Sequence, residues 1–175
     1  SGHKIASTVF VECMSEYYTD SPKTLAPVGE TEFVEKLANR NIKENTETHI
    51  AKAIVGFADL LLGDSVEEIL DSHLEKSPER FKGIRHACGW DLSDKIRNSH
   101  TNPPRFLYLD KKFQKGFGKL FDYGLTFDAW LYHPQHEELI ALAKSFPNQR
   151  IILDHVGGPL GIGPYENKKQ SVLQS

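Results

Sequence analysis

The sequence predicts an α/β fold of the (β/α)8 TIM-barrel type, here an incomplete barrel with about five parallel strands and intervening helices. Short apolar runs alternate with amphipathic stretches, which implies parallel strands joined by crossover helices. Ionisable residues stand at the carboxyl end of strand after strand, where barrel enzymes carry their active sites. An open doubly wound sheet is the alternative, but its nucleotide-binding form needs a glycine fingerprint that the loop after Glu12 lacks.

The five predicted strands are apolar along most of their length, as is typical of strands with both faces buried. In chain order they cover residues 8–12, 53–58, 81–86, 125–131 and 150–155. A complete barrel has eight strands in typically about 250 residues. We therefore expect residues 1–175 to form a single partial domain, approximately strands 2 to 6, without the strands at both ends. Unpaired edges on the outer strands would favour a homo-oligomer.

Amphipathic stretches between the strands predict four helices, at residues 29–38, 65–70, about 110–122 and 137–144. Asp64 is expected to cap the second helix, whose first turn carries acids that the helix macrodipole favours. Gly124 is the expected stop of the third helix. Pro134 is expected to open the fourth helix, and Phe146-Pro147 to end it.

Composition and motifs exclude several classes of function. A net charge of -3, with scattered basic residues, gives no reason to expect nucleic acid or a membrane surface as partner. No apolar run approaches the roughly 18–20 residues that span a bilayer. The G-x-S-x-G, P-loop and H-E-x-x-H patterns are missing from the sequence, against serine hydrolases, NTPases and zincins. Two cysteines without metal-type spacing, Cys13 and Cys88, are expected to be reduced thiols, which favours a cytoplasmic protein.

His155 is the main candidate catalytic residue. An imidazole at a barrel mouth can bind a metal, shuttle a proton or polarise a carbonyl. The adjacent Asp154 points to the other side of the strand, so it need not orient that ring. A histidine bonded to a backbone carbonyl at the rim is the structural alternative.

Arg85 and His86 end the third predicted strand. The Arg85 guanidinium could clamp a substrate carboxylate or ester oxygen, or it could pair with Glu12 or Asp59 inside the rim. His86 is expected on the opposite face of the strand, which makes it a weaker candidate for substrate binding.

The remaining candidates lie on the first, second and fourth strands. Asp128 would line the site or hold Arg85, and Trp130 would either wall the pocket or pack in the core. Glu12 is a pocket acid or an arginine partner. Four further residues carry weaker expectations. Asp59 could line the pocket or begin a turn, Tyr132 could wall the pocket with Trp130, and the histidines His133 and His136 flank a helix start, with His136 expected at the surface.

Three segments resemble a known family. Residues 81–86, Phe-Lys-Gly-Ile-Arg-His, resemble the G-[IV]-R-[HF] element of amidohydrolase-related proteins, and the Thr-Phe-Asp strand at residues 126–128 is also similar. The most specific segment is L-D-H-x-G-x-P at residues 153–159, which follows Phe146-Pro147. The chain thus resembles the TIM-barrel hydrolases that include sugar lactonases and 2-pyrone-4,6-dicarboxylate hydrolase.

The resemblance implies a hydrolytic site at the strand ends. His155 matches the family's sixth-strand histidine, and Arg85 matches a fourth-strand arginine that contacts a substrate carboxylate. Relatives also carry an H-x-H pair on the first strand and an aspartate, the general base for water, on the eighth. Neither is present in these 175 residues.

The resemblance leaves the cofactor open. Many metal-dependent relatives place a histidine on the fifth strand, but the strand at Phe127-Asp128 has none. A divalent metal such as zinc, held by His155 and ligands outside this chain, is one expectation, and no metal is the other.

Three functions follow from these expectations. The first is hydrolysis of a lactone or similar cyclic ester, either sugar-derived or carboxylated. The second is a metal-dependent decarboxylase or amide hydrolase of the same fold. The third is an inactive fragment or binding scaffold that lacks the first- and last-strand catalytic residues.

Overall fold

A computed structural model describes residues 2–44 and 47–173. Its five strands form one parallel sheet in the order β1-β2-β3-β4-β5, with the bounds Ser7–Val11, His49–Gly56, Phe81–Arg85, Thr126–Ala129 and Ile151–Leu153. Each strand pairs with the next one in the sequence. A doubly wound sheet would reverse this order at a switch point, whereas a barrel wall does not. The prediction of an incomplete TIM-type barrel is confirmed.

The helices follow the strands on the predicted pattern. They are α1 (Val28–Lys43), α2 (Glu67–Lys76), α3 (Lys111–Asp122), α4 (His136–Ser145) and the short α5 (Lys169–Val172). In the described part of the chain, no helix is both long and apolar enough to cross a membrane.

The predicted cap of the second helix is wrong. Residues Leu60–Val66 form tight 3-10 turns, kinked at Gly63 with φ 59°, so α2 begins only at Glu67. Asp59 is the residue that caps these turns, because its side chain accepts a hydrogen bond from the Leu61 N–H at 3.0 Å. Asp64 instead lies 2.8 Å from the Lys115 ammonium of α3.

Both ends of α3 agree with the prediction. Asp110 is the N-cap, and its carboxylate accepts hydrogen bonds from the N–H groups of the first turn. Gly124 follows the last turn with φ 66°. Its N–H donates to Phe121 and the Leu125 N–H donates to Leu120, which is the Schellman arrangement that ends a helix.

Several strands are shorter at their carboxyl ends than predicted. The fourth ends at Ala129, not at residue 131, and the fifth ends at Leu153, not at residue 155. Asp154 and His155 therefore lie in a tight turn, Asp154–Gly157, that leaves the sheet. The strand cannot continue because His155 and the three residues after it have positive φ, which lies outside the β region.

Aromatic side chains fix α3 against the sheet. The rings of Phe113 and Phe117 meet the β4 residue Phe127 edge-on, with centroids 6.1 and 5.1 Å apart. Such edge-to-face pairs add to the free energy gained by burial. At the margins of the sheet, Val9 of β1 and Ile152 of β5 remain exposed, in contrast to the predicted burial of both strand faces.

We predict that Gly116→Ala will lower the free energy of unfolding by about 1–3 kcal/mol, as overpacking of a close contact does. A Cβ atom at Gly116 would collide with the backbone carbonyl of Leu60, which cannot rotate away. Urea denaturation would measure the effect. Gly118→Ala, one half-turn further on, is the matched control.

At Gly118 the added Cβ atom would meet only the edge of the Phe146 ring at 3.2 Å, and the gain in helix propensity offsets that contact. Equal losses in the two variants would contradict the proposed packing of α3.

Candidate active site

Polar side chains from four strands gather at one edge of the sheet. Glu12 follows β1, Arg85 ends β3, Asp128 lies in β4 and Asp154 follows β5. The carboxyl ends of parallel strands meet at a common edge, so these side chains lie together at what is the mouth in a barrel. The sequence predicted that these side chains lie at one edge of the sheet. It left open whether Arg85 pairs with Glu12 or with Asp59.

The Arg85 guanidinium is the centre of this network. Its Nε donates to Glu12 Oε1 at 2.8 Å, and its Nη2 donates to the Glu12 backbone carbonyl at 2.6 Å. On the other side, its Nη1 lies 3.5 Å from Asp154 Oδ2. The Glu12 side chain is fully buried. Of the two interpretations of Arg85, the internal ion pair is therefore present, and a substrate contact stays a prediction.

Asp128 lies beside this network without a complete set of partners. It is paired in register with Arg85 and is buried. Burial, followed by the charge of Asp154, raises its pKa from 3.8 to about 6, while Arg85 opposes that rise. Among the described residues, Asp128 Oδ1 has no hydrogen-bond partner. Three carboxyl groups thus lie close to one guanidinium, and burial favours the protonated form of Asp128.

His100 belongs to the site but was not found from the sequence. Its Nε2 lies 3.6 Å from Glu12 Oε2, and its ring is nearly parallel to that of Trp130, with centroids 6.4 Å apart. It lies in the long loop between β3 and α3, where no hydrophobic period marks which residue turns inward. His100 is close to the strand ends in space but far from them in sequence, so no local sequence pattern marks it as a site residue.

His155 lies beside Trp130 at the mouth. Its side chain is exposed, and its ring meets Trp130 edge-on at 6.3 Å. Asp154 faces Arg85, but the two residues lie in a turn, so the alternation expected of a strand does not apply to them. His155 and Val156 both have left-handed backbone, with φ 49° and 55°. That conformation is unusual for a β-branched residue such as Val156 and costs conformational energy.

The glycines that follow have a steric role in this turn. A Cβ atom at Gly158 would collide with the backbone carbonyl of Leu131. His136 holds the same segment, since its Nε2 lies 2.9 Å from the Gly157 carbonyl oxygen. His136 is half-buried, so its expected surface position is wrong. His133 is buried, and its Nδ1 accepts a hydrogen bond from the Leu160 N–H at 3.3 Å.

A cavity of about 250 Å³ opens beside the network, between the loop after β1 and the ends of β2 and β3. Tyr17 and Phe57 give it aromatic walls, and Asp59, His86 and His100 give it polar groups. This volume suits a small ligand, below the roughly 300–1,000 Å³ of drug-sized sites.

His86 faces this cavity as a neutral imidazole. The Leu60 N–H donates to its Nδ1 at 3.3 Å, so the ring proton lies on Nε2. Burial lowers the pKa of His86 to about 4, and Asp59 only partly offsets that effect. The ring therefore offers an uncharged N–H donor. Its position on the opposite face of the strand from Arg85 and its role in substrate binding both stay predictions.

The described residues do not by themselves form a metal centre. Within the described ranges, no group of three or more histidine, cysteine, aspartate or glutamate side chains is placed to hold a metal ion. His155 could supply one ligand only if others came from outside these residues. Two of the buried histidines, His86 and His133, already accept backbone hydrogen bonds on Nδ1.

Comparison with known proteins agrees with this geometry. A family model described as amidohydrolase matches residues 17–168, which is most of the chain. The chain belongs to the amidohydrolase family. The resemblance seen in the strand-end motifs is thereby confirmed at the level of the family.

Individual relatives are considerably longer than this chain. An uncharacterized protein of Sinorhizobium fredii, y4mH, is 31% identical over 131 residues, which is 75% of this chain and 40% of the relative. A zinc-bound crystal structure of an amidohydrolase from Burkholderia multivorans is 24% identical, with a TM-score of 0.52, over 74% of this chain and 38% of that one. A crystal form of the latter protein with bound HEPES gives a TM-score of 0.48. The chain thus spans about two fifths of the relatives it matches, and the structural likeness shows the fold.

We predict that wild-type protein will lose stability relative to Asp128→Asn as the pH rises. The folded-state pKa of Asp128 lies above its ordinary value, so folding favours the protonated form. Between about pH 4 and pH 7 the difference in free energy of unfolding, wild type minus variant, should fall by roughly 2 kcal/mol. Urea denaturation across this range would measure it.

The matched control is Asp122→Asn, at the exposed end of α3. The difference in free energy of unfolding between wild type and this control should change little over the same pH range. If the difference in free energy of unfolding between wild type and Asp128→Asn does not change with pH, the burial of an unpaired carboxyl group in the network is contradicted.

Proposed function

We propose that this chain is part of a hydrolase that opens a lactone, or a similar cyclic ester, by attack of water at the carboxyl-end mouth of the barrel. The observation that carries the proposal is the network around Arg85, at the mouth of a chain that belongs to the amidohydrolase family. Within that site His155 is the proposed catalytic residue, and Arg85, Asp128, Trp130, Glu12 and His86 are the proposed substrate-binding residues.

The charges in the network support an uncharged substrate. Three carboxyl groups face one guanidinium, and Glu12 already uses two of its nitrogen atoms. A carboxylate ligand would meet net negative charge there. Opening a neutral lactone ring creates a carboxylate, which the same charges would help to expel. Among the two classes of lactone, this arrangement favours a sugar-derived substrate over a carboxylated one.

The chain's own groups can assist two parts of the reaction. The exposed His155 imidazole can polarise the ester carbonyl and donate a hydrogen bond to the developing oxyanion. Protonated Asp128 can donate a proton toward the alcohol that leaves when the ring opens, because its pKa of about 6 is close to neutral pH. The aspartate that would activate water in the related enzymes is not among these 175 residues.

The zinc-bound Burkholderia relative supports a second candidate, a metal-dependent amide hydrolase or decarboxylase. Zinc would supply a Lewis acid and an activated water. In this chain only His155 is offered as a ligand, so the metal needs ligands from elsewhere. The proposal further retains a cytoplasmic location, a small-molecule substrate and association into a homo-oligomer.

We predict that His155→Asn will lower kcat for lactone opening by at least about 100-fold, since an aligned general acid or base typically contributes that much. The complete gene product that contains this chain should be assayed with gluconolactone by pH-stat titration, with and without a chelator. His49→Asn is the control, because His49 is exposed at the start of β2, at the opposite edge of the sheet from the mouth.

Turnover of His155→Asn within a few-fold of wild type, with an unchanged melting temperature, would remove the catalytic role. Loss of wild-type activity with the chelator would favour the metal-dependent alternative. Absence of hydrolysis for a panel of sugar lactones would contradict the proposed substrate class.

A further inference from the structure

A second cavity, of about 170 Å³, lies between the loop after β3 and the start of α4. Three aromatic side chains line it, Trp90, Phe106 and Tyr165, together with the charged residues Asp91, Glu138 and Arg105. No part of the proposed hydrolytic chemistry uses these residues. The combination of aromatic faces with charges of both signs indicates a site for a polar ligand.

Glu138 supplies a buried acceptor in this cavity. The residue is only 9% exposed, and in the described ranges its Oε2 has no hydrogen-bond partner. Burial raises the pKa of this carboxyl group, with Arg105 and the Gln135 side chain acting against the rise. A buried carboxylate oxygen without a donor costs free energy. A ligand that brings a positively charged donor would remove that cost.

Arg105 supplies the opposite charge at the exposed rim. Its guanidinium carbon lies 4.3 Å from the centroid of the Phe106 ring and 5.5 Å from that of Trp90. Across the described part of the chain, Arg105 forms no ion pair within 4.0 Å, with Glu138 or with any other carboxylate. The two opposite charges therefore line the same small cavity without neutralising each other by direct contact.

Hydrogen bonds hold the walls of the cavity in place. The Gln135 side chain accepts a hydrogen bond from the backbone N–H of Trp90 at 2.9 Å and donates one to the backbone carbonyl of Cys88 at 2.9 Å. On the opposite side, the Tyr165 hydroxyl donates to Asp91 Oδ2 at 2.7 Å. Three separate segments of the chain are thus joined around the cavity. A preformed site loses less free energy to ordering when a ligand binds.

We propose that this cavity binds a small zwitterion, a free α-amino acid, with its ammonium group on Glu138 and its carboxylate on Arg105. Trp90 and Tyr165 line the cavity with aromatic side chains, which can attract an ammonium group. A guanidinium in turn matches the two oxygens of a carboxylate. The small volume admits only a few non-hydrogen atoms, which selects a compact amino acid over a peptide or a larger metabolite.

Calorimetric titration with glycine tests the proposal, with methylammonium and acetate as probes of its two halves. Glycine should bind roughly tenfold more tightly than either half. Glu138→Gln should weaken glycine binding by about tenfold to 100-fold, the range for a lost hydrogen bond to a charged group. Glu137→Gln, the exposed neighbour, should bind glycine as wild type does.

Arg105→Met gives a second variant, and its exposed position makes unfolding a minor concern. It should bind glycine and methylammonium equally, because only the carboxylate contact is lost. A wild-type protein without saturable glycine binding overturns the proposal. So does equal affinity of wild type for glycine and methylammonium, or unchanged glycine affinity in a folded Glu138→Gln variant.

Discussion

The ion pair between Arg85 and Glu12 connects the strand ends on which the candidate site depends. One guanidinium donates to the side chain and to the backbone carbonyl of Glu12, and thereby joins β3 to the end of β1 across the intervening β2. The same group lies 3.5 Å from Asp154 after β5. A buried pair contributes little net stability relative to an apolar pair, but removal of one partner leaves an uncompensated charge and is costly. Its main consequence is therefore geometric, because it fixes which side chains face the mouth.

The charges of the site follow from this arrangement. Burial, followed by the charge of Asp154, raises the pKa of Asp128 to about 6, and Arg85, which is paired with Glu12, only partly offsets the rise. The site thus has a proton donor close to neutral pH, together with an exposed imidazole at His155. Because the chain belongs to the amidohydrolase family, we propose that these groups act in hydrolysis. The excess of carboxyl groups is the reason for proposing a neutral ester as substrate and not an anionic one. The proposed function therefore rests on the same contact that orders the strand ends.

Much of the fold could be predicted from the sequence because the βα pattern is local. Apolar runs located all five strands, and Gly124 and Asp110 marked the ends of α3. The start of the second helix was misplaced. The chain is kinked at Gly63, which has positive φ, and α2 begins only after the 3-10 turns that contain it. The acidic residues of the first turn do not indicate this kink. Within the site, Arg85, Glu12 and Asp128 were predicted from their strand-end positions. His100 was missed, since a loop residue is brought to the site by tertiary packing that leaves no period in the sequence. His136 was misplaced for a similar reason, because its partner Gly157 lies 21 residues away.

The most direct test of this account is a double-mutant cycle between Glu12 and Arg85, measured as the free energy of unfolding at neutral pH. Glu12→Gln and Arg85→Met should each cost about 3–5 kcal/mol, the usual loss when one partner of a buried pair is removed. The double variant should cost less than the sum of the two by roughly 1–3 kcal/mol, as expected for groups in direct contact. Additive losses would show that the two side chains do not depend on each other, and they would contradict the central place given to this pair.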